Sequence, residues 1–178
     1  SCEAEVQRLT FWSSILSGGF GFTYGANGLW QVNTREKPYG PSPHGNTWGN
    51  TPWEAAAQLP GSAQLGLAKR LLERYPYWRF EPHPEWVDPA GSAENVDAPF
   101  AAGIPGEVRL IYFYAPTFDP IYHVVGLEAG LRYRAFFWDP RNAEEHELGL
   151  IPEEGQSSWT IPLQPELKDW VLVLEVAS

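Results

Sequence analysis

The chain has 178 residues, 43% hydrophobic and 15% aromatic, with 12 basic against 22 acidic side chains and a formal net charge of −10. This length suits one large domain or two small ones, and the apolar content suffices for a packed core. The acidic balance and the lack of a basic patch argue against a nucleic-acid partner, and no apolar run approaches the roughly 20 residues that a membrane span needs.

Residues 3–17 read as a helix: Val6, Leu9, Thr10, Ser13 and Leu16 recur at helical spacing, and Phe11, Trp12 and Ile15 widen the stripe. Glu3 and Glu5 stand in the first turn, where the helix dipole favours acids. Gly18-Gly19 is a stop signal. Residues 19–25 follow as a short apolar strand alternating bulky and small side chains (Phe20, Gly21, Phe22, Thr23, Tyr24, Gly25). This strand has no partner nearby in the sequence, and it opens into a polar loop presenting Asn27, Trp30 and Gln31. A buried strand whose carboxyl end opens into aromatic and amide side chains is how α/β barrels build their sites.

Residues 26–50 form a long loop rich in Gly, Pro, Asn and Ser, a length that in compact domains goes with function or disorder. It carries Trp30, Tyr39, His44 and Trp48. Thr51-Pro52-Trp53-Glu54 reads as a capping box with Pro at the first helical position, opening a short helix over 52–58. Pro60-Gly61 breaks that helix and Ser62 caps the next, whose buried stripe is Leu65, Ala68, Leu72 and Tyr75 with Leu71 beside it; Pro76 stops it. Residues 76–106 are a Pro-, Gly- and acid-rich connector, with a boundary near 82–96. Beyond it the period alternates, giving strands at about 96–102, 107–115, 121–127, 131–138, 157–162 and 169–176, the pattern of an antiparallel sandwich.

The fold class is therefore α/β plus all-β: a helix–strand–helix region over 1–82, a linker over 83–95 and a β-sandwich over 96–178. A single strand leaves backbone donors and acceptors unpaired on both edges, at about 1–3 kcal/mol each if buried. Its partner strands are expected from elsewhere, and residue 1, which is not Met, reads as a processed or cut start. Cys2 is the lone cysteine, so no internal disulfide forms.

His44, His83, His123 and His146 are scattered without metal-ligand spacing. No phosphate-binding loop or nucleophile elbow occurs, and no cofactor or metal is expected. Asp139, in Asp-Pro-Arg, reads as a turn residue. Nine Trp suit both core packing and the covering of sugar C–H faces. The residues assigned to substrate binding are Tyr24, Asn27, Trp30, Gln31 and Trp48, with His44 at the rim. An indole just after a barrel strand could floor a sugar site, and amides suit sugar hydroxyls.

The segment from Arg8 to Gly25 (Arg-Leu-Thr-Phe-Trp-Ser-Ser-Ile-Leu-Ser-Gly-Gly-Phe-Gly-Phe-Thr-Tyr-Gly), followed by Leu29-Trp30-Gln31, resembles the end of the apiosidase-like glycoside hydrolase barrel. There a helix with an aromatic pair leads into the eighth strand, a Thr-Tyr-Gly motif and a Trp. Pro60-Gly61-Ser62 and Tyr77-Trp78-Arg79-Phe80-Glu81-Pro82 resemble its last helix and closing segment. Phe137-Trp138-Asp139-Pro140-Arg141 and Asp169-Trp170-Val171-Leu172-Val173-Leu174 resemble the collagen-binding-type sandwich that follows. The family often has His where Phe22 and Ala26 stand here, so any sugar contact of those histidines is absent.

The resemblance implies the last strand and helices of a (β/α)8 barrel followed by an antiparallel β-sandwich. It implies hydrolysis of O-glycosidic bonds in plant or microbial polysaccharide, in a secreted or periplasmic setting. Two carboxylates flanking the bond would do the chemistry. Both would lie before Ser1, at the ends of the fourth and seventh strands, so the catalytic residues are unknown from this chain. The body of the barrel is expected as a separate chain of the same protein, with carbohydrate as substrate and neither nucleic acid nor membrane as partner. Two other readings stand beside this one: a non-catalytic sandwich that binds carbohydrate or protein, and an interaction domain that docks residues 1–80 on a partner.

Overall fold

The first helix shows how packing selects a face. In the computed structural model, which describes residues 4–37, 49–114, 120–152 and 155–177, α1 spans Ala4–Leu16 and buries Arg8, Phe11, Trp12 and Leu16. With Ile15 partly buried against the same cluster, the positions run i, i+3, i+4, i+7, i+8. The expected stripe through Val6, Thr10 and Ser13 is corrected: Val6 is 41% exposed and Thr10 is exposed. Two aromatic rings outweigh Val and Thr in apolar area, and Arg8 joins the buried face because a carboxylate meets it there. The helix stops as anticipated at Gly18-Gly19. Gly18, at φ +91°, donates its N–H to Ile15 O at 3.1 Å, and Gly19 donates to Ser14 O at 2.8 Å. These are the two bonds of a Schellman motif.

Helices α2 (Trp53–Ala56) and α3 (Pro60–Leu72) begin differently from the expected capping boxes. Neither has a side-chain cap, α2 being preceded by Pro52 and α3 by Leu59. The first N–H of α2, on Trp53, is taken by Asn33 O at 2.9 Å, which leaves Thr51 no capping task. Pro60 lies in the first turn of α3, where its fixed φ and missing N–H favour a start, so the helix opens before Ser62. Its buried residues are Gly61, Ala68, Leu71 and Leu72.

Among the described residues nine strands follow: β1 (Glu81–Pro82), β2 (Val87–Asp88), β3 (Phe100–Ile104), β4 (Val108–Phe113), β5 (His123–Val124), β6 (Tyr133–Trp138), β7 (Glu145–Ile151), β8 (Trp159–Thr160) and β9 (Trp170–Val176). One antiparallel sheet has the order β1-β3-β4-β9-β6-β7, and a smaller one the order β2-β5-β8. The fold is thus mixed, with an antiparallel sandwich at its centre and helices added as an outer layer. Alternation along β4 divides the core. Val108, Leu110 and Tyr112 join the cluster under α1 and α3, which includes Trp12, Leu71, Trp138 and Val173. Ile111 and Phe113 join the cluster between the two sheets, with Val124, Phe137, Trp170 and Leu172. Residues 81–82 pair with Ala102 and Gly103, and residues 87–88 pair with β5.

Two expectations about strands change. Strand β7 was not anticipated, because an edge strand wet on both faces shows no alternation; its residues are mostly exposed or half-buried. Residues 19–25, expected as a strand, form no ladder among the described residues. Every strand described belongs to one of the two antiparallel sheets, and none of them pairs with this segment.

Candidate functional site

Segment 18–33 leaves the last turn of α1 and crosses in front of α3. Phe22 is half-buried, edge-on to Phe11 at 5.6 Å between ring centroids. The Tyr24 hydroxyl donates to Ala56 O at 3.0 Å. The Tyr24 ring lies close to Gly61, where an added Cβ would meet it at 3.6 Å. Burial pushes the Tyr24 phenol pKa upward. Phe20, by contrast, is fully exposed.

Residues 26–33 then fold into a tight turn. Leu29 N–H donates to Ala26 O at 3.0 Å, Val32 N–H to Leu29 O at 3.1 Å, and Asn33 N–H to Gly28 O at 2.9 Å. Gly28 has φ +99°, and a Cβ there would lie 2.2 Å from Thr51 O, so only glycine permits this approach. Asn33, fully buried, donates its side-chain amide to Thr51 O at 3.3 Å and Gly49 O at 3.4 Å. Val32 holds φ +55°, a left-handed conformation that costs a β-branched residue on the order of 1–3 kcal/mol and that clusters at functional sites.

Within this turn the candidates divide by direction. Gln31 is buried; its Oε1 accepts the Gly28 N–H at 2.6 Å, while its Nε2 is buried without a partner. Trp30 is 53% exposed, and Asn27 is half-buried. Asn27, Trp30 and Gln31 thus share one turn, with Tyr24 behind it. Trp48, His44 and Tyr39 lie outside the described residues. The sequence reading missed Asn33, which ties the turn to residues 49–53, and Trp53, whose exposed ring sits one backbone hydrogen bond from Asn33. Asn33 looked like one more loop amide, and Trp53 like a helix-start residue.

No described carboxylate lies on residues 18–33. The buried Asp139 carboxylate is held by Arg141, with Arg141 Nε at 2.6 Å from Oδ1 and Nη2 at 2.5 Å from Oδ2, which makes it a turn brace. Glu5 is exposed in the first turn of α1. Among the described residues no group of three or more His, Cys, Asp or Glu side chains could hold a metal, and no helix is long and apolar enough to cross a membrane. An open, largely apolar groove of about 470 Å³ lies elsewhere, between Leu16, Pro82, Val96 and Phe100, and is lined by none of the candidate residues.

Residues 1–79 match the family model "Apiosidase-like, catalytic domain". No curated protein matches the chain. Among solved structures, a protein described as "Glycoside hydrolase" superposes with a TM-score of 0.77 at 19% identity, over 98% of this chain and 37% of its own. A glycoside hydrolase family 5 protein from Bacteroides vulgatus superposes with a TM-score of 0.73 at 19% identity, over 97% of this chain and 36% of its own. The chain therefore spans little more than a third of either structure, and at this identity the likeness establishes shared fold. Residues 1–79 are thus similar to the apiosidase-like catalytic-domain family, as the motifs at residues 8–31 suggested, and the whole chain shares its fold with part of two glycoside hydrolase structures.

Proposed function

We propose that this chain is the carboxyl-terminal portion of a glycoside hydrolase, completing a (β/α)8 barrel with residues 19–25 as its last strand and attaching a β-sandwich. The observation that carries the reading is the state of that segment: apolar in sequence, outside both sheets, and led by a fully exposed Phe20. Such a segment has its backbone groups and its phenylalanine ready for neighbouring strands. The family match over residues 1–79 and the much greater length of the two similar structures support the same reading. The body of the barrel, as a separate chain of the same protein, supplies the partner strands and the two carboxylates that cleave an O-glycosidic bond. The substrate is a plant or microbial polysaccharide, met in a secreted or periplasmic setting.

In this arrangement Trp30 presents its indole to the sugar and Asn27 its amide. Tyr24 and Gln31 hold the turn from behind through Ala56 O and the Gly28 N–H. Trp48 belongs to the same loop and is carried as a further sugar contact. Every exposed aromatic ring described lies before residue 79, at Phe20, Trp30, Trp53, Tyr77 and Trp78. The described sandwich thus presents no exposed aromatic platform of the kind a stand-alone carbohydrate-binding sandwich would need.

The test is reconstitution. Mixing this chain with the barrel portion should produce glycoside hydrolysis that neither has alone, and Trp30→Ala should lower turnover at least tenfold while leaving Tm within about 2 °C. Hydrolysis that ignores Trp30, or equal loss of turnover and stability, would remove Trp30 from the site.

A further inference from the structure

Among the described residues, the best-buried ion pair joins α1 to the start of β9. Asp169, immediately before β9, is 4% exposed and Arg8, on α1, is 7% exposed. The contact is bidentate: Arg8 Nε to Asp169 Oδ2 at 2.6 Å and Nη2 to Oδ1 at 2.7 Å. The remaining guanidinium nitrogen, Nη1, donates to Gln64 Oε1 on α3 at 2.8 Å, and the Tyr112 hydroxyl of β4 donates to Asp169 Oδ2 at 3.1 Å. One carboxylate thereby fixes α1, α3 and the central sheet relative to one another. Burial works against the Arg8 charge, yet the Asp169 hydrogen bonds and charge hold the guanidinium pKa above its usual value.

A buried pair of this kind adds little net stability over well-packed apolar residues of the same volume. What it adds is direction. Packing of Trp12 on Tyr112 and Trp138 is apolar and non-directional, whereas a planar guanidinium met by a carboxylate accepts one orientation. Both helices that it seats bear on the candidate site. Residues 19–31 leave α1 through the two-bond stop at Gly18-Gly19, and α3 brings Gly61 against the Tyr24 ring.

We infer that Asp169 is a positioning residue: through Arg8 and Gln64 it sets where α1 and α3 hold residues 19–31, so the β-sandwich is an integral part of the sugar site. The effect on turnover rests on the glycosidase reading; the effect on residues 19–31 does not. The experiment uses two readouts. In this chain alone, the double substitution Arg8→Met with Asp169→Leu should keep Tm within a few degrees of wild type and raise exchange of the hydrogen-bonded amides within residues 19–31, those of Gly19, Gly28 and Leu29, by about tenfold. In the reconstituted hydrolase the same variant should lower kcat/KM by tenfold or more, since displacements of about 1 Å cost up to about a hundredfold. Leu174→Ala, in the cluster on the other face of the sheet, should lower Tm with kcat/KM and the 19–31 exchange unchanged. Tyr112→Phe, which removes a single hydrogen bond to Asp169, should show the same signature at two- to threefold and serves if the double variant does not fold. Unchanged exchange over 19–31 in a folded variant would overturn the inference. Altered exchange in a reconstituted protein that hydrolyses no glycoside would instead overturn the glycosidase reading while leaving Asp169 its positioning role.

Discussion

The central sheet and the segment 18–33 draw on the same aromatic vocabulary and use it in opposite ways. In the sheet both faces are covered, one by α1 and α3 and the other by the three-stranded sheet, and Tyr112, Phe136, Phe137 and Trp170 are buried. In the segment, Phe20 and Trp30 face outward and the backbone of residues 20–25 joins no strand ladder among the described residues. The difference lies in who supplies the other side. The sheet finds its complement inside this chain. The segment is held from one side only, at Phe22, Tyr24 and Gly28, and offers the other.

The contrast sharpens into expected outcomes of decreasing size. Trp12→Ala empties a fully buried site ringed by Phe11, Tyr112 and Trp138 and should cost about 3–5 kcal/mol in denaturant unfolding. Gly28→Ala forces a Cβ into Thr51 O at a positive φ and should cost about 1–3 kcal/mol, with the loss of order confined to residues 26–53 in amide exchange. Acid should loosen the helical layer next. Burial raises the Glu145 pKa, but hydrogen bonds from Arg74 and Arg134 outweigh it and hold the carboxyl below its ordinary 4.5. Its stabilisation is therefore complete above pH 4.5 and lost as pH falls through the lower folded value. Glu145→Gln should flatten the acid limb of a Tm-against-pH curve. Phe20→Ser should change the stability of this chain by less than about 0.5 kcal/mol while abolishing assembly with the barrel portion. A Phe20 effect as large as that of Trp12 would erase the contrast between the two regions.

What was legible in the sequence follows the range of the interactions involved. The Gly18-Gly19 stop depends on residues 14–19 alone and was readable. So were the long strands β4, β6 and β9, whose side chains alternate between the two covered faces of the sheet, while β3 lies at Phe100–Ile104 rather than the expected 96–102. On the buried face of α1, Phe11, Trp12, Ile15 and Leu16 were readable, but Arg8 was not, because it counts as polar until Asp169, 161 positions away, neutralises it. Nor was β7, whose Glu145, His146 and Glu147 keep an edge strand wet. The turn at 26–33 was readable as a loop carrying Asn27, Trp30 and Gln31. Its tether through Gly28 and Asn33 to residues 49–53 was not, since that contact exists only after the chain has returned.

One feature of the sheet bears on how the molecule comes into being. Strand β9 follows all the other described strands in sequence yet lies between β4 and β6, with Asp169 at its threshold. During synthesis, then, the two halves of the large sheet emerge with a gap between them until residues 170–176 arrive, and the Arg8 guanidinium lacks this carboxylate until Asp169 appears, 161 positions later. Closing the large sheet is governed by contacts distant in sequence, a slow regime. A nascent product stopped short of residue 169 would expose the unzipped flanks of β4 and β6, which is how a quality-control protease could tell it from the finished molecule.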